Sequence, residues 1–88
     1  MGRAHNVLMI YHPSGQQGVS GFRRHYRYVH TALAKALTLA VQSGYVGDVY
    51  ELADAVSGAW LGALKVTATG EVDARFACEA DRATYNTL

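Results

Sequence analysis

Cys78 is the only cysteine in a chain of 88 residues, and shortness combined with a lone thiol is the tightest constraint on how this sequence can fold. No intramolecular disulfide can form, and no cysteine pair has zinc-ligand spacing. The chain must therefore hold together by packing alone. A domain of this length buries only about 60–65% of the surface its unfolded chain exposes, so the core is thin. Hydrophobic residues make up 50% of the sequence and charged residues 17%, which is enough apolar material for one globular domain over residues 1–88 and too much for a disordered chain. A reducing compartment suits the lone thiol. No apolar stretch approaches the roughly 18–20 residues of a membrane span, and the first residues lack the basic-then-apolar order of a signal peptide. Met1-Gly2 suggests myristoylation, but Asn6 stands where that motif needs Ser or Thr. The expectation is a cytoplasmic protein with no membrane partner.

Residues 6–12, Asn-Val-Leu-Met-Ile-Tyr-His, are a continuous apolar run of strand formers closed by Pro13. Val7, Met9 and Tyr11 point to one face and Leu8, Ile10 and His12 to the other, so both faces ask for cover and the strand belongs inside a sheet. Residues 13–21 carry three glycines and a proline and read as a loop. From Phe22 to about Gln42, Phe22, Tyr26, Val29, Leu33, Ala36, Leu37 and Ala40 fall on one helical stripe, with Arg24, Arg27, Thr31, Lys35, Thr38 and Gln42 opposite. Ser20 is placed to cap this helix, and Gly44 to end it in a left-handed conformation.

Beyond Gly44 the period becomes two. Tyr50 and Leu52, then Trp60, Leu64 and Val66, then Val72, Ala74, Phe76 and Cys78 supply the inward positions of three strands. Asp54 to Gly58 makes one turn, and Ala68-Thr69-Gly70-Glu71 suits a type I turn with glycine in the bulge position. The expected fold is α+β, ordered β-α-β-β-β, with one amphipathic helix on an antiparallel meander. Residues 79–88 read as a loose tail that Tyr85 and Leu88 could dock.

Charge is segregated along the chain. Residues 1–47 hold Arg3, Arg23, Arg24, Arg27 and Lys35 and no acid, while residues 48–88 hold all seven acids against Lys65, Arg75 and Arg82. All four histidines lie within the first 30 residues. An electrostatically two-sided molecule follows unless folding interleaves the halves. Arg23, Arg24, Arg27, Tyr28 and Lys35 are the candidate contact residues. Basic side chains interleaved with aromatics suit phosphates and bases, or an acidic protein surface. Gly15, Gly18 and Gly21, between a strand and the expected helix, form a second candidate, in which backbone N–H groups at a helix N-terminus could hold an anion. The spacing matches neither the P-loop nor the dinucleotide fingerprint.

No histidine pair is spaced to chelate a metal, Cys78 is expected inert on the inner face of the last strand, and no serine sits in a nucleophile turn. The expectation is a non-enzymatic binding protein without cofactor or metal. The outward sheet face, with Val49, Leu61, Ala63 and Ala77 among Glu51, Lys65, Thr67, Asp73 and Arg75, is apolar for a surface in full contact with water. Together with the two-faced first strand it raises the expectation of a homodimer through the sheet.

The run Gly47-Asp48-Val49-Tyr50-Glu51-Leu52-Ala53-Asp54, leading into a Trp60–Phe76 hairpin after one Ala-rich helix, resembles in style the small accessory proteins of phages and mobile elements, including the anti-CRISPR class. That resemblance implies an inhibitor that occludes a surface of a host nucleic-acid-handling complex, and it assigns no functional residue. The alternatives are a small nucleic-acid-binding or regulatory protein using the basic helix, or a structural subunit of a larger assembly.

Overall fold

The computed structural model describes residues 4–15 and 20–88. Among these, the elements run β1 (Ala4–His12), β2 (Phe22–Tyr28), α1 (Val29–Ser43), β3 (Val49–Asp54), β4 (Trp60–Val66), β5 (Val72–Phe76) and α2 (Glu79–Asn86). The strands form one antiparallel sheet in the order β2-β1-β3-β4-β5. Both helices pack on the same side of it, α1 against β1 and β2 and α2 against β5 and α1. The α+β class and the β3-β4-β5 meander are as the sequence predicts, and β1 lies between two neighbours as its two apolar faces require.

The expected order β-α-β-β-β needs one strand and one helix more. Residues 22–28 form β2 and the helix starts only at Val29. Phe22 and Tyr26 are four apart, a spacing that satisfies a helical stripe and a strand alternation equally. With Tyr28 they lie on the side of β2 facing the helix layer, while Arg23, His25 and Arg27 alternate onto the other. Aromatic-rich segments favour the pleated conformation when a neighbouring strand is available to pair, and β1 supplies it.

The caps change accordingly. Tyr28, not Ser20, occupies the N-cap of α1, without a side-chain hydrogen bond, and Gly44 is extended (φ −71°, ψ 137°) instead of left-handed. Packing holds α1 in place: Val29, Ala32, Leu33, Ala36 and Ala40 are buried along one stripe.

The chain end is a helix and not a loose tail. Glu79 and Asp81 stand in its first turn, where acids favour the positive end of the helix dipole. The Tyr85 ring packs 5.4 Å from that of Phe76. The last strand stops at Phe76, so Cys78 lies outside the sheet at the N-cap of α2, its thiol donating to Asp81 Oδ2 at 3.3 Å.

One irregularity changes which side chains are inside. The β3–β4 register slips between Leu52 and Ala53, pairing Leu52 with Gly62 but Ala53 with Trp60. Leu61 is the extra residue of this bulge. It turns into the core at 8% exposure, and Trp60 turns out at 44%, reversing the inward Trp60 and outward Leu61 expected from strict alternation. The β4–β5 turn forms as expected: Gly70 adopts φ +83° and donates to Thr67 O, while Thr67 N–H donates to Glu71 O.

These positions separate core from surface by experiment. Leu33→Ala, at a fully buried site, should cost about 2–5 kcal/mol, whereas Trp60→Ala should cost about 1 kcal/mol or less. Chemical denaturation of the two variants checks this, and equal losses would put Trp60 in the core.

Candidate binding face

The side of the sheet opposite the helices has no layer over it among the described residues. The registers set its side chains in rows across the strands: His25, Leu8, Ala53 and Trp60; Arg23, Ile10, Glu51, Ala63 and Arg75; His12, Val49, Lys65 and Asp73. Arg27 continues the β2 column by alternation. Leu8, Ile10, Val49, Ala53 and Ala63 are half-buried and form an apolar floor. Arg23, His25 and Arg27 stand exposed along one edge. A depression of about 250 Å³ lies toward the other edge, lined by Val49, Trp60, Ala63, Lys65, Asp73 and Arg75.

Both acids paired across this floor have partners on it. Glu51 Oε1 lies 2.9 Å from His12 Nε2, and Asp73 Oδ2 accepts from Arg75 Nε at 3.3 Å. Arg23, Arg27 and Lys65 have no ion-pair partner among the described residues. The face is therefore apolar in the middle and carries unneutralised positive charge, most of it along β2.

The residues expected to make one basic stripe are divided by the fold. Arg23 and Arg27 reach the open face. Arg24 projects to the other side of the strand, its guanidinium 4.8 Å from the centre of the Phe22 ring. Tyr28 ends β2, with its ring 5.5 Å from His30 and the Arg27 guanidinium 5.8 Å from its centre. Lys35 is exposed on α1, in the helix layer on the far side of the sheet. A stripe through Arg24, Arg27 and Lys35 required residues 22–28 to be helical, and they are not. His25, unassigned in the sequence reading, joins Arg23 and Arg27 through the period-two alternation.

The glycine cluster loses its helix terminus for the same reason, because residues 13–21 lead into a strand. Gly15 has φ +87°, and Gly18 lies outside the described residues. Gly21 packs so closely that a Cβ there would stand 2.5 Å from Tyr11 O, which makes it a packing glycine beside a hollow of about 250 Å³ lined by Ile10, Tyr11, His12, Phe22 and Arg23. Among the described residues, no three His, Cys, Asp or Glu side chains gather to hold a metal.

Sequence reasoning passed over Asp48, the fully buried acid that fixes this end of the face. Its Oδ2 accepts from the Tyr11 hydroxyl at 2.9 Å and from Tyr45 N–H at 3.0 Å, and its Oδ1 from Ser14 N–H at 2.8 Å. Asp48 O accepts from Val66 N–H. Burial alone would raise the Asp48 pKa, but the backbone donors of Tyr45 and Ser14 and the Tyr11 hydroxyl outweigh it and hold the carboxyl below its ordinary value. Burial, then the hydrogen bond to Asp48, pushes the Tyr11 phenol up to about 12. The position of Asp48, immediately after Gly47 and before an apolar strand, was the available signal.

Comparison with protein families, curated proteins and solved structures finds no match for this chain.

The Asp48 cluster contributes to the pH dependence of stability on both the acid and the alkaline side. Because its folded pKa lies below the ordinary 3.8, its contribution is complete above that value. It falls away below it, as the unfolded chain takes up a proton first. On the alkaline side stability should decline between 10, the ordinary phenol value, and about 12, as the unfolded chain loses the Tyr11 proton that the folded one keeps. Asp48→Ala should cost about 3–5 kcal/mol at neutral pH by leaving buried donors unpaired, and should remove its share of the acid limb. Denaturation of both proteins across pH checks this; parallel acid limbs would contradict it.

Proposed function

We propose that this chain is a non-enzymatic binding protein whose open sheet face docks on an acidic protein surface. The observation that carries the reading is the face left uncovered among the described residues: an apolar floor centred on Ile10, an exposed Trp60 at its margin, and Arg23 and Arg27 along one side with no ion-pair partner among those residues. Apolar centres with Trp and Arg anchors and a charged rim are the anatomy of protein–protein contacts. A single-stranded nucleic acid would want aromatic platforms along the strands. Here the central positions are aliphatic, and among the described residues the face carries Trp60 and the imidazoles of His12 and His25 only at its margins. Occlusion of a surface on a host nucleic-acid-handling complex, the role implied by the resemblance to phage accessory proteins, is one instance of such docking.

The test places a photo-crosslinking amino acid at Ala63, on the open face, or at Lys35, in the helix layer, and exposes both proteins to a lysate of the source cells. The expected result is an acidic protein captured through Ala63 and not through Lys35, and lost when Arg23→Glu and Arg27→Glu are combined. Capture through Lys35 alone would overturn the proposal. A dT20 oligonucleotide that shifts Trp60 fluorescence with a log–log salt slope of about −2 would replace the protein partner with nucleic acid. Sedimentation as a dimer, broken by Ile10→Lys, would make the partner a second copy.

A further inference from the structure

We propose that the outer edge of β2 accepts an extended segment of the partner as a sixth strand, and that this segment alternates acidic and apolar residues. The inference rests on the protein-binding reading above and adds how the partner is held and what its sequence must look like. β2 ends the sheet with only β1 beside it, so one side of a seven-residue strand presents backbone donors and acceptors that pair with nothing else among the described residues. β2 contains neither proline nor acid.

The alternation of β2 dictates the complementary sequence. Its open-face column is Arg23, His25 and Arg27, and its helix-side column is Phe22, Arg24, Tyr26 and Tyr28, in which the rings are half-buried and the Arg24 guanidinium is laid over the Phe22 ring. A strand laid alongside sets its own side chains on the same two sides at every second residue. Acids then stand beside Arg23 and Arg27, and apolar residues beside Phe22 and Tyr26.

A second copy of the chain is a poor occupant. An antiparallel β2 pair centred on His25 would set Arg23 of each copy opposite Arg27 of the other, and like charges directly opposite are destabilising. The other sheet edge, β5, has five residues, and its Asp73 and Arg75 are already bonded to each other. Size points the same way: five strands about 4.8 Å apart and about four rows deep give a face of roughly 400 Å². A stable interface takes about 800 Å² from each partner, so a partner that holds the face gains from reaching around its basic edge. Strand addition supplies affinity through main-chain bonds and specificity through alternate side chains.

Two blocked seven-residue probe peptides test the inference, Glu-Val-Glu-Val-Glu-Val-Glu and its Lys-for-Glu counterpart, with amide hydrogen exchange followed residue by residue. The acidic peptide is expected to protect alternate amides within Phe22–Tyr28 and the basic one none. Arg23→Glu with Arg27→Glu should weaken the acidic peptide by about tenfold or more, as two attractive cross-strand pairs become repulsive. Equal binding of both peptides, protection away from β2, or β2 amides already protected in a dimer of the protein alone would each overturn it. Missing β2 protection while the Ala63 crosslink persists overturns strand addition only. Loss of the Ala63 crosslink overturns the face reading whatever the exchange shows.

Discussion

The buried carboxylate of Asp48 is the constraint on which the arrangement depends. It gathers a hydroxyl from β1, an amide from the segment after β1 and an amide from the α1–β3 connection, while the backbone around it bonds to the end of β4. Three separate parts of the chain meet on one side chain. In a thin core without a disulfide, such a charge can be retained only because each oxygen is satisfied. The Tyr11 ring then transmits the constraint. It stacks 4.8 Å from Tyr50 and packs 5.1 Å from Phe22, so the ends of β1, β2 and β3 are fixed around one hydrogen-bonded phenol.

How much of this was legible in the sequence depended on whether one period or two fitted the residues. β1 was read from an unbroken apolar run of strand formers and the meander from its alternation, and both were placed near their observed limits, save that the last strand was carried through Cys78 and stops at Phe76. Val29 to Ala40 showed helical spacing and nothing else. The segment 22–28 satisfied both periods, and local pattern could not decide, because β1 as a pairing partner is a non-local fact. Leu61 was misplaced because a bulge adds one residue to one strand without any mark in the apolar pattern. The helix at Glu79–Asn86 was hidden by its polar composition, and its stability draws on Phe76 and α1, which lie elsewhere in the chain.

Charge segregation proved more informative than any motif. The acid-free half of the sequence supplies β1, β2 and α1, and the acidic half supplies β3, β4, β5 and α2. The sheet order β2-β1-β3-β4-β5 sets these halves side by side without interleaving them. A gradient along the chain becomes a gradient across the sheet, positive at the β2 edge and mixed toward β5. What the sequence reading placed on one helical stripe is real charge on a different scaffold. The change of scaffold exchanges Lys35 for His25 and sends Arg24 to the opposite side of its strand.

On the proposed edge pairing, the same arginines serve two ends that are often opposed. An exposed edge strand is a hazard because it will pair with any available strand, and charge is the common protection. Positive charge repeated along β2 repels another copy of itself and any other basic strand, leaves a neutral strand without electrostatic gain, and attracts an acidic one. Protection and selectivity are thus one electrostatic device viewed with two partners. The protection weakens for a partner of opposite charge, so selection at this edge comes from what is kept away as much as from what is drawn in. Selection of this kind needs no specialised pocket. It needs a strand with a free side and a periodic charge on it, anchored where β2 begins by the packing of Phe22 on the Tyr11 ring that Asp48 holds.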